Sequence, residues 1–147
     1  MENKKMIEAK EISILTVAGG LGFWAANFAI SRTPIAAEYR GALSISYYPM
    51  LLESLLGGLM IGFCVSYSLL RFFDKIPIKD PILKSVIISL IALVIMTILN
   101  LVPHSFLGQR DVLHYFLIGI MLDAPRFLFL GIVIGYLYNN FNGGVGK

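Results

Sequence analysis

Residues 48–73 read YPMLLESLLGGLMIGFCVSYSLLRFF, and the only charged side chains in the run are Glu53 and Arg71. About 20 mainly apolar residues, wound as a helix, cross the hydrocarbon core of a bilayer. This run is longer than that. It is apolar throughout rather than alternating, whereas a strand of a membrane barrel alternates over about ten residues. Three further runs have the same character: residues 12–30 without a charge, residues 83–102 with Lys84 at the start, and residues 112–138 with Asp123 and Arg126 inside. The pattern predicts an all-α integral membrane protein. Its four transmembrane helices, about residues 12–30, 48–73, 83–102 and 112–138, are expected to form an up-down-up-down bundle in a single membrane domain over residues 1–147.

Composition agrees. Hydrophobic residues make up 57% of the 147-residue chain and charged residues 14%, with a mean hydropathy of +0.78. A soluble domain carries roughly 25% charged residues and avoids large exposed apolar patches. The net charge is +3 and the pI about 9.1. The basic residues stand beside the apolar runs, which reads as membrane topology rather than as a nucleic-acid surface. No nucleic-acid partner is expected. Cys64 is the only cysteine and lies within an apolar run, so no intrachain disulfide and no CxxC pair exist.

The first run follows a leader that mixes Lys4, Lys5 and Lys10 with Glu2, Glu8 and Glu11. It also exceeds the usual apolar length of about 7–15 residues in a cleaved signal peptide. It reads as a retained helix. Lys4, Lys5, Lys10, Arg71, Lys75, Lys79, Lys84 and Lys147 fall on one side of the bundle, against Arg32, Arg40 and Arg110 on the other. The positive-inside rule then puts both termini in the cytoplasm of a multi-pass protein of the cell membrane. The connections are short. The longest, Ser31 to Tyr47, opens Ser-Arg-Thr-Pro and has room for a short surface helix. Tyr47, Tyr48, Tyr115, Tyr136 and Tyr138 lie near run ends, where an aromatic belt belongs.

The residues richest in chemistry are Leu122-Asp123-Ala124-Pro125-Arg126. Counted from Val112, Asp123 lies about 16 Å along the helix, near the middle of a roughly 30 Å core. A central Asp or Arg costs about 2.5–3.5 kcal/mol on insertion scales, so neither is expected to face lipid. Their i,i+3 spacing puts both on one face. Pro125 removes a backbone donor and predicts a kink. Either the pair forms a proton, ion or anion site, or it is self-neutralised and locks the helix to a neighbour. Glu53 is the second ionisable candidate, as a protonatable gate or as an interfacial carboxylate near a helix start. Counting rises along the two helices separates Glu53 from Arg126 in depth by roughly 14 Å, which argues against direct contact.

Small residues recur every four positions: Ala18, Gly22 and Ala26 in the first run, Ser54, Gly58, Gly62 and Ser66 in the second, Gly131 and Gly135 in the fourth. Such stripes let helix backbones approach closely in lipid. Asn27 and Asn100 are expected to hydrogen-bond between helices. His104, Asp111 and His114 form no recognised ligand motif, and neither metal nor cofactor is expected. Gly20-Leu21-Gly22-Phe23-Trp24-Ala25 fits GxGxxA, but no soluble βαβ unit surrounds it, so it is not a dinucleotide site. No GxSxG, HExxH or P-loop occurs, and no enzyme is expected.

An intramembrane enzyme acting on lipid ranks last, because Asp123 has no acid–base partner at its depth except Arg126, and two function classes stand ahead of it. One is a proton- or ion-linked transporter or channel that acts as an oligomer through Asp123, Arg126 and Glu53. The other is a non-catalytic accessory or assembly subunit of a larger membrane complex. The partners are then the lipid bilayer and either further copies of the chain or other membrane subunits.

Overall fold

The computed structural model describes the backbone of residues 2–104 and 109–142, with side chains for 6–99 and 113–142. All described elements are helical: α1 (Glu2–Ile30), α2 (Pro34–Ala42), α3 (Tyr47–Phe72), a 3-10 turn (Phe73–Lys75), α4 (Pro81–His104) and α5 (Gln109–Asn142). Four of them are long and apolar enough to cross a membrane, over Met6–Ile30, Tyr47–Lys75, Pro81–Leu99 and Leu113–Asn142. This is the make-up of a small multi-pass membrane protein. α1 and α5 outrun their apolar cores; for α1 the flanking Glu, Lys and Met residues are good helix formers.

The boundaries have local causes. Thr33 precedes Pro34, so it is held extended (φ −73°, ψ 149°) and ends the preceding turn. Its hydroxyl accepts from the Ala36 amide at 3.3 Å and caps α2, with Pro34 at the first helical position. Asp80 does the same for α4, where its carboxylate accepts from the Ile82 amide at 2.9 Å ahead of Pro81. Beyond α3, the buried Lys84 donates through Nζ to the Phe73 carbonyl at 2.6 Å and lies 3.5 Å from the centre of the Phe73 ring. A cation at carbonyls left open by a helix end is favoured there. Pro125 sits inside α5 without interrupting it.

Glycines set the packing. A β-carbon on Gly62 would lie 2.9 Å from the Thr16 carbonyl oxygen, and one on Gly58 3.0 Å from the Gly20 oxygen, so α3 meets α1 backbone to backbone. On the other seam, a β-carbon on Gly135 would lie 2.6 Å from Ile82 Cα, and one on Gly131 2.8 Å from Val86 Cα. α1 also packs on α5, where Phe23 meets Phe127 edge to face at 5.4 Å. In each seam the residue numbers rise along one helix as they fall along the other. Leu15, Val65, Leu69, Leu130 and Ile134 are fully buried between the seams.

Ser66, Gly22, Gly58, Gly62, Gly131 and Gly135 are buried, whereas Ala18, Ala26 and Ser54 are only partly covered. On α1 the closest approaches belong instead to the adjacent pair Gly19-Gly20, which face Ile134 and Leu59. A four-residue stripe misses such a pair because adjacent residues project toward different neighbours.

Candidate functional site

A cavity of about 330 Å³ lies between α2, α3 and α5. Its polar lining is Ser31, Tyr39, Arg40, Glu53, Asp123 and Arg126; Ala36, Ile45, Met50, Gly119 and Leu122 complete it. The structure therefore brings Glu53 into the same cavity as Asp123 and Arg126. Direct contact is absent. The one ion pair among the described residues joins Arg126 Nη1 to Asp123 Oδ1 at 2.6 Å within a single helix turn. Arg126 is 16% exposed and Asp123 38%. Glu53 is exposed at the cavity wall.

Asp123 lies at a different depth from the one that residue counting from Val112 gives. Phe127 of α5 packs against Phe23 of α1. One turn further along α1, Asn27 donates to the Ser54 hydroxyl at 2.8 Å, beside Glu53. One turn back along α5 is Asp123. Asp123, Asn27 and Glu53 thus share a level, about one turn from the end of α1 at Ile30. The physical reason is the length of α5. Its 34 residues extend about 51 Å, far beyond a roughly 30 Å core, so depth counted from its first apolar residue is misleading.

α2 closes the cavity from one side. Ala36, Tyr39 and Arg40 fall on one face of a short helix by their i,i+3 and i,i+4 spacing. Ala36 is buried. The Tyr39 ring packs edge on to Tyr115 at 6.3 Å. Its hydroxyl sits where a β-carbon on Gly119 would come within 3.2 Å, so a glycine at that position admits the ring. Burial holds the Tyr39 phenol above its ordinary range, with the Asp123 carboxylate adding to the effect and Arg126 opposing it. Tyr39 is therefore a neutral donor at physiological pH. Arg40 Nη1 donates to the Ser31 carbonyl at 2.6 Å, and its guanidinium lies over the Tyr47 ring at 5.1 Å.

Arg126 Nε is buried without a hydrogen-bond partner, and the guanidinium lines the cavity. Nη1 is committed to Asp123, so the guanidinium still offers N–H groups to an acceptor in the cavity. In the sequence Arg40 reads only as a topology marker, and neither Tyr39 nor Ser31 stands out. The signal was available in the Thr33-Pro34 cap, which predicts a helix and hence the shared face of Ala36, Tyr39 and Arg40.

Other expected groups lie elsewhere. Asn27 is fully buried at the α1–α3 seam, with its Oδ1 unpartnered. His114 is exposed on α5. The side chains of His104, Asp111, Asn100, Lys4, Lys5, Arg110 and Lys147 lie outside those described. Among the described residues no group of His, Cys, Asp and Glu side chains is arranged to hold a metal ion. No protein-family model, curated protein or solved structure matches this chain.

Proposed function

We propose that the chain is a small transporter or channel of the cell membrane, linked to a proton or ion and acting as an oligomer, in which the α2–α3–α5 cavity is the solute site. A single observation carries the reading: two carboxylates, two guanidiniums and a phenol converge on one cavity of about 330 Å³. Charges in membrane helices are expensive and face functional cavities far more often than lipid. In this reading Asp123 takes up or relays a proton, Arg126 tunes it and offers N–H donors to the solute, and Glu53 gates the mouth. The chain forms one membrane domain with up-down-up-down topology. The opposed residue order across its seams and its Lys/Arg distribution support cytoplasmic termini. Reconstituted liposomes test it: Asp123→Asn loses flux, and unchanged flux refutes the reading.

A second reading has its own support. The 2.6 Å Asp123–Arg126 bond is self-contained, as in a pair that only stabilises packing. The chain is then an accessory or assembly subunit of a larger membrane complex. The mass and polypeptide content of the particle in native nanodiscs separate the two. Several copies of this chain alone favour transport, and a second polypeptide at fixed stoichiometry favours the subunit role.

A further inference from the structure

We propose that the α2–α3–α5 cavity selects a zwitterion: a molecule with an anionic phosphate or carboxylate and a cationic amine a few bonds apart. The inference rests on the cavity being a solute site and names the chemistry of its ligand.

Charge balance comes first. Arg40 and Arg126 are offset by Glu53 and Asp123 on the same walls. An entering anion gains from the guanidiniums and is opposed by the carboxylates, and an entering cation meets the reverse. Only a ligand carrying both signs gains at both ends without leaving a net charge in the site.

Free valence comes second. Arg126 lines the cavity with only its Nη1 held by Asp123. Arg40 is already engaged by the Ser31 carbonyl and the Tyr47 ring. Both guanidiniums therefore keep N–H groups for an anion, Arg40 without a carboxylate partner among the described residues. The Glu53 carboxylate makes no ion pair among the described residues, so it is the open cation position. Tyr39 on the same lining adds a neutral donor.

Size and place come third. About 330 Å³, at roughly 30 Å³ per water, gives room for on the order of ten water-sized groups. That suits a phosphoethanolamine-like head group or an amino acid rather than a bare ion. The cavity lies where the α1 span ends at Ile30 and the α3 span begins at Tyr47. Both a lipid head group and a dissolved zwitterion reach that level.

The test uses the full-length protein in phosphatidylglycerol nanodiscs. Trp24 is the chain's one tryptophan, and its Nε1 donates to the Leu51 carbonyl at 3.2 Å, two residues before Glu53. Its fluorescence and the melting temperature are followed against glycerophosphoethanolamine, glutamine, glycerophosphoglycerol and ethanolamine. Phosphatidylethanolamine is titrated into the discs in parallel. A zwitterion is expected to bind at least about tenfold more tightly than the anion or the cation, a gap of about 1.4 kcal/mol. Glu53→Gln changes an exposed residue and leaves one excess positive charge. It should lose that preference and bind glycerophosphoglycerol at least as well. Arg126→Lys keeps the charge but removes the planar guanidinium with its several N–H donors, and should weaken the zwitterion; if it does not fold, Glu53→Gln carries the test alone. A response to soluble zwitterions identifies a dissolved ligand. A saturable response to phosphatidylethanolamine alone identifies a lipid head group. Either supports the proposal. Equal or tighter binding of the anion or the cation by the wild type overturns the zwitterion and leaves the cavity as a solute site. Silence toward every probe in a folded protein overturns both.

Discussion

Gly57 and Gly58 are neighbours on one helix and differ only in what each faces, so replacing each with alanine isolates the cost of close packing. A β-carbon on Gly57 meets nothing within 4 Å. One on Gly58 falls 2.9 Å from Phe23 Cδ1 and 3.0 Å from the Gly20 oxygen. One on Gly62, a turn later, falls 2.9 Å from the Thr16 oxygen and 3.2 Å from the Gly20 nitrogen, with backbone on every side. Carbon atoms rest about 3.5–4.0 Å apart, so α1 and α3 must separate by roughly half an ångström or more to admit the new methyl. Phe23 has little freedom to yield, since it is buried against Phe127. Overpacking of this kind costs about 1–3 kcal/mol. Against that, alanine gains up to about 1 kcal/mol over glycine within a helix. The expected result is a neutral or stabilised Gly57→Ala, with Gly58→Ala and Gly62→Ala each less stable than it by about 1–3 kcal/mol. Unfolding in mixed detergent micelles, followed by helical circular dichroism, measures all three. Equal effects at positions 57 and 58 would refute the assigned α1–α3 seam.

Asp123→Asn should destabilise by about 1–2 kcal/mol, between the exposed and buried limits for an ion pair, because Arg126 is left without its carboxylate. The double variant Asp123→Asn with Arg126→Gln should regain most of that stability but no flux, whereas a purely structural pair would regain both. Lys84→Met removes the bond to the Phe73 carbonyl and the contact with its ring, and thermal unfolding should register a loss of about 1–2 kcal/mol. Tyr39 has its folded-state pKa raised, so its neutral form contributes stability that is complete below the unfolded value of about 10 and is lost as pH rises beyond it. Melting temperatures measured upward from neutral pH should therefore fall more steeply for the wild type than for Tyr39→Phe above about pH 10, and parallel curves would reject the assignment.

The helices were legible because a bilayer imposes a length and a polarity that few other constraints mimic. Residues 83–102 admit hardly any other reading. The glycine seams were legible in part, at Gly58, Gly62, Gly131 and Gly135, because four-residue spacing maps directly onto a helix face. Gly19 and Gly20 escaped that pattern, since each meets a different neighbour. Lys84 escaped because a charge at a run's edge resembles a topology signal, and only the fold brings the Phe73 carbonyl to it. The cavity was half legible: Asp123, Arg126 and Glu53 stood out as charges in apolar runs. Tyr39 and Arg40 belong to a polar connection, and their role depends on how α2 lies against α5, which no periodicity within α5 records.

The level of Asp123 decides which physics governs the site. At the bilayer centre, each uncompensated charge would cost about 2.5–3.5 kcal/mol and see little water. At the level of Asn27 and Glu53, near the end of α1, the carboxylate is 38% exposed and shares a cavity with Glu53. Cysteine labelling separates the two placements. In a Cys64→Ser background, Glu53→Cys and Asp123→Cys are each exposed to a membrane-impermeant maleimide in sealed vesicles. If the two positions share one cavity, they label from the same side at rates within about tenfold, the spread expected from local differences in thiolate fraction. If they are separated by the roughly 14 Å that residue counting gives, the thiol at position 123 lies in hydrocarbon and stays unlabelled while that at 53 reacts. The first outcome carries a consequence for mechanism. The far side of the bundle is filled by Leu15, Val65, Leu69 and Ile134, all fully buried. A site open at one end and closed by packed side chains at the other delivers a solute across the bilayer only if those helices separate or if the path runs between copies of the chain. Impermeant labelling at Leu69→Cys from the opposite side, appearing only when the cavity's ligand is added, would identify helix separation; its absence under active flux would assign the path to the interface.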